Sequence, residues 1–525
     1  MAYANDGRLP VIYVRGYAGG PSGIDEAVDD PFYGFNVGSV QVRVDGGDRP
    51  VFHQFESPLL RLMIDHDYRL LVQGNQLSYL TEQEPGTVPA ASIWVHRFYD
   101  EFAPNVTRDP NAFSLQRAAE SLFTLVKLVR RQTGAPRVFL VAHSMGGLVV
   151  RSMIQRTIPD DPDVGGRPDA ATAFVDRVFT YATPHGGIEF AVGFGALERL
   201  RDTGVAGADI FGPERMHEYL TWSGSRDPAE PFDATRMPDD GFPKDRLFCL
   251  VGTNAEDYPV ARGLSSRVVG PRSDGLVQID NASVQGAPRA LVHRSHSGRF
   301  GIVNSEEGYQ NLRRFLFGDV EVRADLTDCR LPGTPDDDTD WQLEIALSIR
   351  GLPVVLHEQT AAHLCPIQIE KPVSEDVPST PVPVVRTYLS TAVRRPSDAA
   401  TGQQSPTMRH VLQLRLVSLR KKGGLLTFLD HLESTADWSD VLVVDIAFEP
   451  GAPPKSWAVW NSAIPGAISD WVPDPAVNPP LQDEDAASGR WVVRVPVPPS
   501  ARELLGAQAS VTIEVSGRTT LDLVV

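Results

Sequence analysis

Cysteine is nearly absent. Three occur in 525 residues, Cys249, Cys329 and Cys365, far apart and never in C-x-x-C spacing. That excludes a disulfide framework and a thiolate metal site; Cys249, inside an apolar run, is expected to be a small buried hydrophobe. Positive charge is in deficit, with 49 Lys and Arg against 67 Asp and Glu and a formal net charge of −18. So acidic a chain argues against a nucleic-acid partner and against strong attraction to anionic membrane surfaces. No apolar run is long enough to span a bilayer. No basic and then apolar stretch precedes the first strand-like segment, so the expectation is a cytoplasmic protein without a secretory signal. Internal repeats are lacking as well. The acidic loop Asp336–Asp338 has no calcium-loop spacing and reads as a solvated turn, so no metal is expected.

What the chain does have is concentrated at Val138–Arg151, VFLVAHSMGGLVVR. An apolar run stops at His143-Ser144-Met145-Gly146-Gly147, and a second apolar run comes after it at helical spacing. The pattern is strand, sharp turn, helix, with Ser144 at the apex. A serine on so tight a turn sits in a strained backbone conformation and needs small residues two positions away on each side. Ala142 and Gly146 meet that need. Serine alone is a poor nucleophile near neutral pH, so a base and an acid are required from elsewhere in the chain.

Candidates for both lie downstream. Asp274 lies in a turn-rich loop with Gly275 directly after it, and Asp280 is the alternative acid. Arg289–Gly298 reads as a last strand running into a loop; His296 lies past the strand end, whereas His293 falls inside the alternating segment. His296 is therefore the expected base and Asp274 the expected acid. Upstream, Leu9–Val14 has a buried-strand pattern and leads into Arg15-Gly16-Tyr17-Ala18-Gly19-Gly20. Glycines there let backbone approach a substrate closely. The N–H groups of Tyr17 and of Met145, the residue after the serine, are the expected oxyanion-hole donors.

Taken together, the AHSMGG turn, the TPHGG segment at Thr183–Gly187, the SDGLV acid loop and the strand-plus-glycine loop resemble a lipase or esterase of the α/β-hydrolase superfamily. The resemblance lies nearest the bacterial lipases, the inositol-deacylase-like lipases and the lecithin–cholesterol acyltransferase type, and it covers roughly the first three-fifths of the chain. It implies a serine–acid–histidine chain order, which excludes His185 as the base and leaves it to shape the mouth of the site. Gly16, His143 and His185 are the expected substrate-binding residues. The chain departs from such lipases in carrying Arg15 where a histidine usually precedes the oxyanion-loop glycine.

Strand-like and helix-like patterns alternate through the first part, which argues for a mostly parallel sheet with helices on both faces. The stretch from the oxyanion loop to about Pro89 reads as irregular, apart from short alternating pieces such as Val40–Val44. Ser92–His96 and Val175–Ala182 read as strands, Arg246–Val251 as the strand before the acid loop, Ser114–Thr133 as a helix stopped by Gly134, and Glu306–Phe317 as a terminal helix. An insertion at 188–243, too long for an ordinary connection, is expected to form a cap or lid. Past Gly318 a period of two takes over, in segments such as Val320–Leu326, Gln342–Ile349 and His410–Val417. Residues 1–318 are thus expected to form an α/β-hydrolase domain and 319–525 an antiparallel β-sandwich-like domain.

The function these residues imply is a serine carboxylic-ester hydrolase that works through an acyl-enzyme on a hydrophobic ester, of a small molecule or a lipid, without metal or organic cofactor. Transient contact with a lipid interface fits that reading. Two alternatives stand beside it: an acyltransferase using the same acyl-enzyme, and a non-catalytic binding scaffold on a relic hydrolase fold.

Overall fold

The computed structural model describes residues 7–16, 39–44, 50–55, 58–72, 75–98, 114–163, 166–188, 211–225, 231–257, 269–298, 300–334, 337–371, 380–390, 407–420, 436–447, 455–473, 478–485 and 490–518. The chain separates into two compact units, Met1–Arg289 with His293–Leu312, and Ala290–Val292 with Arg313–Val525.

The first sheet takes strands β1 (Val11–Val14), β4 (Arg69–Leu70), β5 (Ser92–His96), β6 (Val138–His143), β7 (Val175–Tyr181), β8 (Leu247–Gly252) and β9 (Arg289–Val292) in the order β4-β5-β1-β6-β7-β8-β9. The registered pairings from β4 to β8 are all parallel. Strands β1, β5, β7 and β8 are buried along their whole length, as is β6 up to its last residue. That is why they read as continuous apolar runs: a parallel sheet is covered on both faces by its crossover helices. The strand order and its packed helices make this unit an α/β-hydrolase-type fold. A separate antiparallel hairpin, β2 (Ser39–Val44) with β3 (Pro50–Phe55), lies in the same region of sequence.

Helix α3 (Leu115–Thr133) shows how the local code works. Ser114 caps it by accepting from the Arg117 N–H, and Gly134 ends it in the left-handed conformation at φ 68°. Its expected apolar face, Leu115, Ala118, Ala119, Leu122, Leu125, Val126 and Val129, is buried in the core. The stretch expected to be irregular as far as Pro89 departs from that reading: it holds α1 (Pro58–His66), β4 and α2 (Gln76–Glu82). These helices are nine and seven residues long, too short for a helical period to stand out in sequence.

Of the insertion at 188–243, residues 188, 211–225 and 231–243 are described. Helix α5 (Pro213–Leu220) supplies Met216, Tyr219 and Leu220, and the later stretch supplies Ala234, Met237 and Phe242, to the same core that receives α3. Helix α6 (Glu306–Phe317) comes after the last strand.

In the second unit the strands alternate in burial, as β10 (Val320–Thr327) does at every second residue. One antiparallel sheet orders β14 (Val382–Leu389), β10, β19 (Ser510–Gly517) and β18 (Trp491–Pro496). The other orders β12 (Val355–Gln359), β11 (Thr339–Ile349), β15 (Met408–Arg420), β16 (Trp438–Ala447) and β17 (Lys455–Trp460), with β13 (Ile367–Ile369) also on β11. Apolar residues of both sheets meet in one core, the mark of a sandwich. Strands β12, β13, β14 and β17 lie outside the expected set: β13 is three residues long, and the other three break the alternation of buried and exposed positions.

Candidate active site

Strand β6 runs between β1 and β7 and ends at His143; the helix α4 (Met145–Ser152) starts two residues later. Ser144, between them, has φ 54° and ψ −132°. A non-glycine residue there costs roughly 1–3 kcal/mol, which the surroundings must offset. They do so with backbone bonds: Ser144 N–H donates to Tyr181 O at 2.9 Å, and Ser144 O accepts from Gly147 N–H at 3.0 Å and from the Thr183 hydroxyl at 3.0 Å.

The small residues around the serine are sterically required. A Cβ on Gly146 would collide with the Val14 carbonyl, one on Gly147 with the Thr183 side chain, and one on Gly16 would lie 2.8 Å from Ser144 Cβ. Gly16 is thereby placed against the serine by the β1–β6 pairing, which sets Val14 beside Ala142. Tyr17 lies outside the described residues. Met145 is the first residue of α4, so its N–H has no carbonyl four residues back in the helix to receive it.

Asp274 and His296 come to this serine from the loops after β8 and β9. His296 Nε2 is 2.9 Å from Ser144 Oγ, and His296 Nδ1 is 2.9 Å from Asp274 Oδ2. The other carboxylate oxygen of Asp274 accepts from Leu276 N–H at 3.0 Å and Val277 N–H at 2.8 Å, closing the turn that Gly275 makes at φ 98°. The two loops are also joined through backbone, His296 N–H to Asp274 O at 2.9 Å. Both side chains are buried, Asp274 at 1 % and His296 at 3 % exposure. A carboxylate accepting from Nδ1–H fixes the tautomer in which Nε2 carries a lone pair toward the serine hydroxyl.

Two further residues tighten this corner, and neither stands out in the sequence. A Cβ on Gly252, the last residue of β8, would meet Arg294 O at 2.6 Å and Asp274 Cβ at 2.8 Å, so glycine is required where the acid and histidine loops cross. Arg294 makes paired 3.1 Å bonds to Glu307 on α6 and pins the start of the histidine loop. Gly252 looks in sequence like an ordinary strand end, and the Arg294–Glu307 pair joins segments whose meeting no local pattern announces.

The alternatives fall elsewhere. His293 is exposed, one residue past β9, with Nδ1 3.4 Å from Thr253 Oγ1. Asp280 sits at the surface opposite Arg272. His143, expected to bind substrate, uses its ring on its neighbour: Nε2 lies 3.0 Å from the backbone carbonyl of His296, and the two imidazole centroids are 5.0 Å apart. A carbonyl can only accept, so Nε2 is the protonated nitrogen of His143. Burial, and then repulsion from His296, push its pKa down to about 3. His185 differs most from expectation. It is fully buried rather than at a mouth, with Nε2 3.1 Å from Thr180 Oγ1 and 3.5 Å from Cys249 Sγ, and burial holds its pKa well below the usual range. The turn packs inward because Gly186 and Gly187, without Cβ atoms, let it approach Asn281 and Phe211. Cys249 is itself buried in β8.

No protein-family model matches the chain, and no curated protein matches it. Among solved structures it is similar to the lipase BlEst2 of Bacillus licheniformis, at 14% identity over 60% of this chain and 94% of that one, with a TM-score of 0.31. It is also similar to the phospholipase PlaB of Legionella pneumophila, at 12% identity over 78% of this chain and 86% of that one, again with a TM-score of 0.31. Among the described residues, no helix is long and apolar enough to cross a membrane.

Proposed function

We propose that this chain is a serine carboxylic-ester hydrolase of the lipase/esterase kind, acting on hydrophobic esters. The observation that carries the reading is the unbroken hydrogen-bonded line from Ser144 Oγ through His296 to Asp274, with both links at 2.9 Å. It stands at the carboxyl ends of the sheet strands, where ligands of open α/β folds bind.

In the proposed reaction Ser144 Oγ attacks the ester carbonyl carbon while His296 Nε2 takes the hydroxyl proton. Asp274 holds His296 in position and stabilises the imidazolium that results. The oxyanion of the tetrahedral intermediate receives the Met145 N–H, whose position at the head of α4 also offers the positive end of the helix dipole. The glycine-rich sequence after β1 adds Tyr17 N–H as the expected second donor. Collapse breaks the bond to the alcohol oxygen, which leaves with the proton held on His296 Nε2. Water then gives a proton to His296 and attacks the acyl carbon, releasing the acid and restoring Ser144.

The test is Ser144→Ala assayed on p-nitrophenyl esters, with fluorophosphonate labelling of the unaltered protein. Loss of turnover together with a label on Ser144 supports the proposal, and undiminished turnover overturns it. Product analysis with a competing alcohol separates hydrolysis from acyl transfer.

A further inference from the structure

The helix that begins behind Ser144 does not end at Ser152: it continues through a π-turn, Met153–Thr157, and a last turn, Ile158–Asp160. A π-turn adds a residue to the helical repeat and rotates the turn beyond it. Along this helix lies a line of polar side chains, and each is fastened to the insertion. Arg151, wholly buried, donates from Nη1 to Ala234 O at 2.7 Å and from Nη2 to Arg236 O at 3.2 Å, while its Nε bonds Gln155 Oε1 at 2.8 Å. Gln155 donates from Nε2 to Leu220 O at 3.2 Å. Arg156 donates to Glu218 O. Asp160 accepts from Ser223 N–H at 3.1 Å and from the Ser223 hydroxyl at 2.7 Å.

Arg151 has a third carbonyl partner, His185 O at 3.0 Å from Nη1. It therefore ties three segments at once: the serine's helix, the turn at Thr183–Gly187, and the stretch at 234–236. From there the bonding continues toward the acid loop, because Gln285 N–H donates to Thr235 O and Gly186 N–H donates to Asn281 O, each at 2.9 Å. Among the described residues no carboxylate lies within ion-pair distance of Arg151. A buried guanidinium satisfied by carbonyl oxygens alone depends on their fixed geometry, and a lysine, a point charge on a flexible stem, cannot hold three of them in the same fork.

We infer that the polar seam Arg151–Gln155–Arg156–Asp160 is a positioning device, with Arg151 its keystone, that fixes both described stretches of the insertion as stationary walls against the helix that begins behind Ser144. Acyl chains are then selected against a rigid wall, not by closure of these stretches over the substrate. The selection clause rests on the ester-hydrolase reading; the fixing of the walls does not.

The experiment compares Arg151→Lys and Asp160→Ala with the unaltered full chain by amide hydrogen exchange and by kinetics on p-nitrophenyl esters of short and long acyl groups. For Arg151→Lys, exchange at 216–222 and 233–237 is expected to rise about tenfold or more while β8 keeps its protection. The KM for the long ester is expected to rise about tenfold, with kcat on the short ester within about threefold. Asp160 is at the surface, so Asp160→Ala tests the seam even if the Arg151 variant does not fold; its exchange should rise at 221–225 and leave 233–237 unchanged. Unchanged exchange in those stretches, or an equal rise in β8, overturns the positioning role. An equal rise in KM for short and long esters overturns the selection clause. If the unaltered protein turns over no ester, the functional reading fails while the exchange result still decides the seam.

Discussion

Two buried acids, Asp274 in the first unit and Asp445 in the second, sit in dense hydrogen-bonded clusters that end differently. In the second unit Asp445 faces Arg409 across the β15–β16 pairing, with Arg409 Nη2 2.6 Å from Asp445 Oδ2 and side-chain exposures of 3 % and 0 %. Thr407 donates to Asp445 Oδ1, and Arg409 gives its remaining donors to Ile468 O at 2.9 Å and Trp471 O at 2.6 Å. The cluster is saturated and closes on itself, so its work is to hold the 468–471 segment. In the first unit Asp274 also takes three donors, but the line through His296 ends on a serine hydroxyl at a strained turn. A saturated buried pair is a strut; one that ends at an exchangeable proton on a nucleophilic oxygen is equipped for chemistry.

Matched substitutions break this comparison if it is false. Asp274→Asn removes the acceptor that fixes the His296 tautomer, and kcat/KM for ester hydrolysis is expected to fall about 10⁴-fold with little change in unfolding. Asp445→Asn leaves Arg409 buried without its counter-charge and is expected to cost about 3–5 kcal/mol of stability while turnover stays intact. The second unit holds six of the eight tryptophans, Trp341, Trp438, Trp457, Trp460, Trp471 and Trp491, so urea unfolding followed by tryptophan fluorescence reads it selectively. Should the Asp445 variant lose turnover at normal stability, the division into strut and site collapses.

A smaller effect is expected at His143, whose ring donates to the backbone carbonyl of His296. Replacing it with Phe deletes the donor to His296 O and should lower kcat about tenfold, the worth of one hydrogen bond of about 1.4 kcal/mol. His143→Gln, whose amide can donate to the same carbonyl, should recover most of it. Equal losses in both variants would mean that ring packing matters and the bond does not.

The difference between local and assembled features also marks what could be read in the sequence. Ser144, with Ala142 and Gly146 around it, is legible because strand, turn and helix are consecutive and each imposes its own residue type. Asp274 and His296 are legible because turn chemistry places them past strand ends, and the structure brings both to the serine. Arg151 is not legible: it sits in a run of apolar residues at helical spacing, and its partners are carbonyl oxygens, which every residue has. His185 misleads for a related reason. It is expected at the mouth of the site, yet the glycines after it are what allow the turn to pack inward. The alternating strands of the second unit are plain where one face is buried, and lost in β14 and β17, where alternation is broken.

The weakest expected effect is in the response to acid, and it separates the units once more. His410 on β15 is buried beside Leu412, Leu414 and Leu416 on the core-facing side of its strand, and neither of its ring nitrogens has a hydrogen-bond partner among the described residues. Burial, and then repulsion from Arg314, push its pKa down to about 3. Between the ordinary histidine pKa and that value, the unfolded chain binds a proton that the folded chain refuses. Stability from this group is therefore full above about pH 6.5 and is lost as pH falls through the window, by about 1 kcal/mol between pH 8 and pH 6. His410→Leu keeps the apolar volume and removes the proton. The urea midpoint read by tryptophan fluorescence should then vary less between pH 8 and pH 6 than in the unaltered chain, while a His143→Gln variant keeps the original slope in that signal. An unchanged slope after His410→Leu would show that His410 does not set the acid sensitivity of the second unit.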